Sequence, residues 1–212
     1  ALVLGLASCQ TEPEGLDVNV GGAVDTVVTV NIPESETRAN AGTNSATSDI
    51  SAILATDDYT MRYMLQVFYV DKPSELYVRY SDNQKVSFPV RLVPGEDRDY
   101  NFVVWADFVL NGTEDDLHYN TNEGNGGLRK VEVIKTQWDV IDESRDAYTD
   151  VVTVHNFSSA ADIPTITLTR PFAKLRVVTN DITEMISIRP AEVKVTYFNT
   201  KFYDTFDAFA ET

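Results

Sequence analysis

Cysteine occurs once in the 212 residues of this chain, and histidine only twice. A single Cys excludes a disulfide framework and any zinc site built on several thiolates. Two His leave little material for a His-rich metal centre or a catalytic site organised around imidazole. Basic residues are scarce as well. The 17 Lys and Arg stand against 33 Asp and Glu, a formal net charge of -16. A chain this acidic offers no basic face to phosphate, which excludes nucleic acid as a partner and charge-driven adhesion to anionic lipid. Apolar material, by contrast, is plentiful. The chain is 43% hydrophobic and 10% aromatic, too much for a disordered tail and ample for a packed core. The length suits one large domain or two small ones.

Residues 1–9 are unlike the rest. Ala1 to Ser8 read ALVLGLAS, uncharged and apolar, and Cys9 follows. The run is too short to span a bilayer but suits the hydrophobic region of a signal peptide. Leu6-Ala7-Ser8-Cys9 matches the bacterial lipobox, in which small residues admit the peptidase and the thiol takes a diacylglycerol. Lipidation at Cys9 is therefore expected, against the blander reading of a Cys buried in an N-terminal strand. Residues 10–23 open with Gln-Thr-Glu-Pro-Glu-Gly and read as a flexible acidic tether. No Met precedes the apolar run and the chain stops soon after a strand, so truncation at both ends is expected.

Everything after the tether reads as β. Val28, Val30 and Ile32 alternate with Thr29 and Asn31, the period of a half-buried strand. Residues 33–49 turn small and polar, as a loop does. A turn of helix is expected over 51–58. Further strands are expected over 61–70, with Tyr63, Leu65, Val67 and Tyr69 on one face, over 76–80, and over 86–92, where Pro89 marks an edge or a bulge. The run from Tyr100 to Phe108 is almost continuously apolar, hence a strand buried on both faces. Residues 111–127 form a polar loop, with short strands at 131–134, 151–154, 165–169, 175–179 and 192–198 and a modest helix at 182–188. Spacings near ten residues with turn signals between them predict an all-β fold, an antiparallel β-sandwich of Ig-like or transthyretin-like Greek-key type. The expected organisation is a signal remnant and lipobox (1–9), a tether (10–23), a first strand (24–37), a polar protease-accessible loop (38–50), an N-terminal sandwich domain (51–180) and the start of a further β region (181–212).

Chemical constellations are weak. His118 and His155 have no metal-ligand spacing. Asp115, Asp116, Asn120, Asn122 and Asn125 make an oxygen-rich loop without the register of a calcium-binding EF-hand, so a solvated loop is the better reading. No GxSxG and no Gly-rich phosphate loop occurs, and nothing selects a Ser for a triad. Carboxylate pairs are too common in so acidic a chain to point to a glycosidase. Trp105 reads as core; Trp138 and the Tyr residues are freer to form a sugar-binding platform. Asp25-Thr26-Val27 has the form of a bacterial O-glycosylation motif, a match of only three residues. No catalytic residue, metal or cofactor is expected, and the chain reads as no enzyme.

Cys9, the strand VDTVVTVNIP, the Thr37-Arg38-Ala39 step, RLVPGEDRDYNFVVWADFV, TLTRPFAKLRVVTND and VKVTYFN together resemble the Bacteroides-type fimbrillins, lipoprotein precursors of type V pili and related surface adhesins. The resemblance implies an outer-membrane lipoprotein at the cell surface. It implies that a trypsin-like maturation protease cuts between Arg38 and Ala39 in an accessible loop. The first strand, carrying Val28, Val30 and Ile32, would then leave its groove for a strand of another pilus subunit. With five aliphatic side chains buried, that strand would contribute on the order of 10 kcal/mol. The competing class is a surface glycan-binding lipoprotein of a polysaccharide-uptake system, which needs a stable domain with exposed aromatics rather than a removable strand.

Overall fold

A computed structural model describes residues 22–33, 50–135, 142–172, 196, 198 and 204–212. The strands expected over 175–179 and 192–198 and the helix over 182–188 lie outside the described residues, Thr196 and Phe198 apart. The described chain is an all-β sandwich with one short helix, α1 (Ile50–Leu54).

Among the described residues there are three sheets. The first has β1 (Val24–Asn31) in the middle, between β5 (Lys85–Leu92) and β10 (Ile166–Thr167). The second pairs β2 (Tyr59–Tyr69) with β6 (Tyr100–Leu110), and β6 with β9 (Ala147–Val154). Two short strands, β3 (Lys72–Pro73) and β4 (Tyr77–Tyr80), close its other side against β2. The third sheet joins β7 (Tyr119–Asn120), β8 (Val131–Val133) and β11 (Thr205–Phe206). Among the described residues every strand pairing is antiparallel except that of β1 with β10.

The second sheet is the wall between two cores. Met61, Tyr63, Leu65 and Val67 of β2 and Phe102, Val104 and Phe108 of β6 pack against Val28, Val30, Phe88 and Ile166 of the first sheet. From the opposite face, Met64, Phe68, Val103 and Trp105 pack against Tyr119, Leu128, Val131 and Phe206. This explains why β6 is apolar without alternation: both its faces are interior. β2 shows the same double burial, although Arg62 and Gln66 interrupt its apolar run. Trp105, the expected core residue, is fully buried and meets Tyr119 edge-on at 5.2 Å between centroids.

Local sequence accounts for the joints. Pro89 sits in β5, an edge strand of its sheet, where a missing N–H is tolerated. Tyr100 spans the sandwich margin: its hydroxyl donates to the Val93 carbonyl at 3.0 Å and accepts the Val93 N–H at 3.2 Å. The β2–β3 connection is a two-residue turn with Val70 at φ 47° and Asp71 at φ 62°. Two positive φ angles are those of a type I′ hairpin turn, and Val is a poor residue for that conformation. Gly127, at φ 60°, lies so close to Gln66 that a Cβ would sit 2.8 Å from its Oε1. That approach lets the Leu128 N–H donate to Gln66 Oε1 at 3.1 Å, tying the 123–129 turns to β2.

Candidate functional site

The N-terminal strand is the first candidate. β1 runs antiparallel to β5 over eight residue pairs, from Val24 opposite Leu92 to Asn31 opposite Lys85. On its other side Val30 and Asn31 pair with Ile166 and Thr167. The ladder continues past the strand, with Ile32 N donating to the Gln84 carbonyl at 2.9 Å and Leu168 N to the Asn31 carbonyl at 2.9 Å. Alternation sends Thr26, Val28, Val30 and Ile32 inward and leaves Asp25 and Val27 exposed. Val28 and Val30 are wholly buried and Ile32 nearly so. The interior side therefore holds three buried aliphatic side chains, one buried Thr and the half-buried Val24, where five buried aliphatic side chains were expected. Three at about 1.5–3 kcal/mol each come to about 5–9 kcal/mol before ordering costs. Thr26 is buried, so its hydroxyl is closed to a glycosyltransferase in the folded chain.

Cys9, Arg38, Ala39 and Trp138 lie outside the described residues. Trp105 is interior and serves no ligand platform.

Two polar clusters escaped sequence reasoning. In the first, Arg62 forks onto Asp107, Nε donating to Oδ1 at 2.9 Å and Nη2 to Oδ2 at 2.7 Å. Nη1 donates to Asp116 Oδ1 at 2.6 Å and Nη2 also reaches the Tyr119 carbonyl at 3.3 Å. Burial works against the Arg62 charge, but Asp107 and then Asp116 more than offset it and hold the guanidinium above its ordinary value. Burial pushes the Asp107 carboxyl up by more than Arg62 pulls it down. The two shifts point opposite ways for one pair. The bidentate geometry is that of guanidinium and carboxylate, both charged, and it decides for the ion pair. This cluster fixes the 111–121 loop to the central sheet. Its one sequence signal is an Arg and an Asp each set inside an apolar strand.

The second cluster brings together His118, Ser144 and Asp142. His118 Nε2 lies 2.8 Å from Ser144 Oγ and 3.3 Å from Asp142 Oδ2. Ser144 Oγ donates to Asp142 Oδ1 at 2.5 Å, so Nε2 must be the donor to Ser144. In a nucleophilic triad the Ser gives its proton to His and the carboxylate holds the opposite ring nitrogen. Here the Ser proton is committed to the carboxylate, both groups crowd one nitrogen, and Ser144 is buried. The arrangement anchors a loop and does not activate a nucleophile. Burial is the main cause holding the His118 pKa below its ordinary value; Asp142 opposes it and Arg145 adds to it.

The oxygen-rich loop does not converge. Asp116 accepts from Arg62 and from Thr121, Asn120 Oδ1 from Asn122, and Asn125 Oδ1 from Lys130. Among the described residues no group of three or more His, Cys, Asp or Glu side chains is placed to hold a metal ion. His155 pairs with Asp99 at 2.7 Å on the surface.

Fold and clusters together define an all-β sandwich in which β1 lies between β5 and β10 and two polar clusters tie loops to the body of the fold. The family of unknown function DUF6562 matches residues 18–212, and the chain belongs to that family. No curated protein and no solved structure matches the chain.

Proposed function

We propose that this chain is a surface-anchored structural and adhesive lipoprotein, a fimbrillin-like pilus subunit or anchor. In this reading Cys9 carries the lipid in the outer membrane, a trypsin-like protease cuts at Arg38–Ala39, and other pilus subunits fill the place of β1. The observation that supports it is the position of β1. A strand at the beginning of the matched region lies in the middle of its sheet, between β5 and β10. Its removal would bare two strand edges and an apolar trough at once, the conditions for β-augmentation. The cost of leaving the trough empty, about 5–9 kcal/mol, is similar to the whole stability of an ordinary domain. A cut strand would therefore stay bound until another of the same pattern replaced it.

The test is brief trypsin treatment of the folded chain followed by mass spectrometry. First cleavage after Arg38, with the released segment still bound, is the expected result. First cleavage elsewhere, with the Arg38–Ala39 bond intact, rejects maturation at this site.

A further inference from the structure

One surface cleft is built in a way the strand-exchange reading does not use. It lies where β2 begins, β4 ends and β6 finishes, and has a volume of about 410 Å³, within the range of small-ligand sites. Thr60, Tyr80, Asp82, Asn111, Gly112 and Glu114 line it. We propose that this cleft binds a neutral or amine-bearing sugar unit of a glycan. Tyr80 is the stacking platform, and Asp82 and Glu114 accept hydrogen bonds from the sugar hydroxyls.

The chemistry of the lining carries the assignment. Tyr80 is 40% exposed and is the residue of its strand that lines the cleft, so part of its ring is open to the C–H face of a pyranose. Carboxylates accept paired hydroxyl donors, and none of the described residues lining the cleft is basic, which disfavours uronic, sialic and sulfated sugars. Both walls are fixed before any ligand arrives. Thr60 donates to Asp82 Oδ1 at 2.9 Å, which takes one of the two carboxylate oxygens. Ser81 N donates to the Met61 carbonyl at 2.9 Å and Asn83 N to Ser81 Oγ at 3.1 Å. Across the cleft, Asn111 donates from its backbone to the Asp58 carbonyl at 2.9 Å and from its side chain to the Asp57 carbonyl at 3.2 Å. Gly112 has φ 76°, and a Cβ there would meet nothing within 4 Å, so the space beside it is open. A rigid polar cleft with one aromatic wall loses little entropy on binding.

The proposal stands whether or not β1 is ever exchanged. Its test is an NMR titration of the isotope-labelled full chain with the methyl glycosides of glucose, galactose and mannose, and with glucosamine and N-acetylglucosamine. At least one should move the amides of 80–82 and 111–114 saturably, with a Kd on the order of 1 mM. Tyr80→Ala should abolish those shifts, and Asp82→Asn should weaken binding about tenfold at unchanged Tm. Asp82→Asn decides alone if Tyr80→Ala does not fold. Three results overturn the proposal: no saturable shift at these amides, equal affinity in the variants, or saturation by lysine amide but by none of the sugars, which would make the cleft a cation site.

Discussion

Replacing Arg62 by Met removes four hydrogen bonds from one buried point while keeping a side chain of similar length. Arg62 is 4% exposed and Asp107 not at all. The variant leaves the Asp107 carboxylate inside the sandwich without its partner, a change that costs about 3–5 kcal/mol in buried pairs. For a domain of this size each kcal/mol moves Tm by about 2–4 °C, so a fall of about 6–20 °C is expected by circular dichroism. Asp107 limits the loss by taking a proton. With Arg62 gone, burial acts on the Asp107 carboxyl without its counter-charge and raises its pKa. A carboxyl raised on folding binds its proton in the native state first. The Arg62→Met chain should therefore regain stability, relative to the parent, as pH falls through that raised pKa toward the ordinary carboxyl range. The pair Arg62→Met with Asp107→Leu tests the cause. Removing the stranded carboxylate should recover about 2 kcal/mol or more, since Asp116 retains access to water. A Tm fall below about 3 °C for Arg62→Met, or a double variant less stable than the single one, refutes the reasoning.

Val70→Asn should raise stability by about 0.5–1 kcal/mol in urea unfolding. Val70 is 71% exposed, so no packing is lost, and Asn accepts the positive φ that a β-branched residue resists. His118 has a folded pKa below its ordinary value, so the unfolded chain binds the extra proton first and stability falls as pH drops below about 6.5. His118→Gln should flatten the change in Tm between about pH 7 and pH 5 relative to the parent chain. Metabolic labelling with a palmitate analogue should mark the parent chain and leave Cys9→Ala unmarked; equal labelling of both removes the lipid anchor from the account.

Much of the sandwich was legible because one rule, period-two alternation, operates wherever a strand has one wet face. β1 and β5 obey it, and their inward residues are those that alternation selects. β6 was legible by the opposite sign, an unbroken apolar run. The third layer was legible only at β8, where a strand was expected over 131–134. β7 and β11 have two residues each, too few for a period to register, and Tyr119 and Leu128 are set among Asn, Gly and Glu. The start of β9 was hidden for a related reason: Ala147 to Asp150 read as polar, yet Tyr148 fills the first core and Ala147 the second. Buried charge defeats pattern reading altogether. Arg62 and Asp107 look like solvent-facing residues until the register places them opposite each other on β2 and β6. The Tyr80 cleft is likewise a product of three strand ends meeting, and no local signal marks it.

The parallel pairing of β1 with β10 sets an order of events during synthesis. Val30 must wait for Ile166, which follows it by 136 residues, before its second edge is covered. At about 5–20 residues per second that interval lasts on the order of ten seconds. β1 can pair with β5 well before β10 is made, and until β10 arrives it remains an alternating apolar segment with bare backbone on one side at least. Such a segment is a good substrate for chaperones and a poor one for solitary storage. Full placement of β1 thus waits on β10, so lateness belongs to its folding as well as to any later exchange.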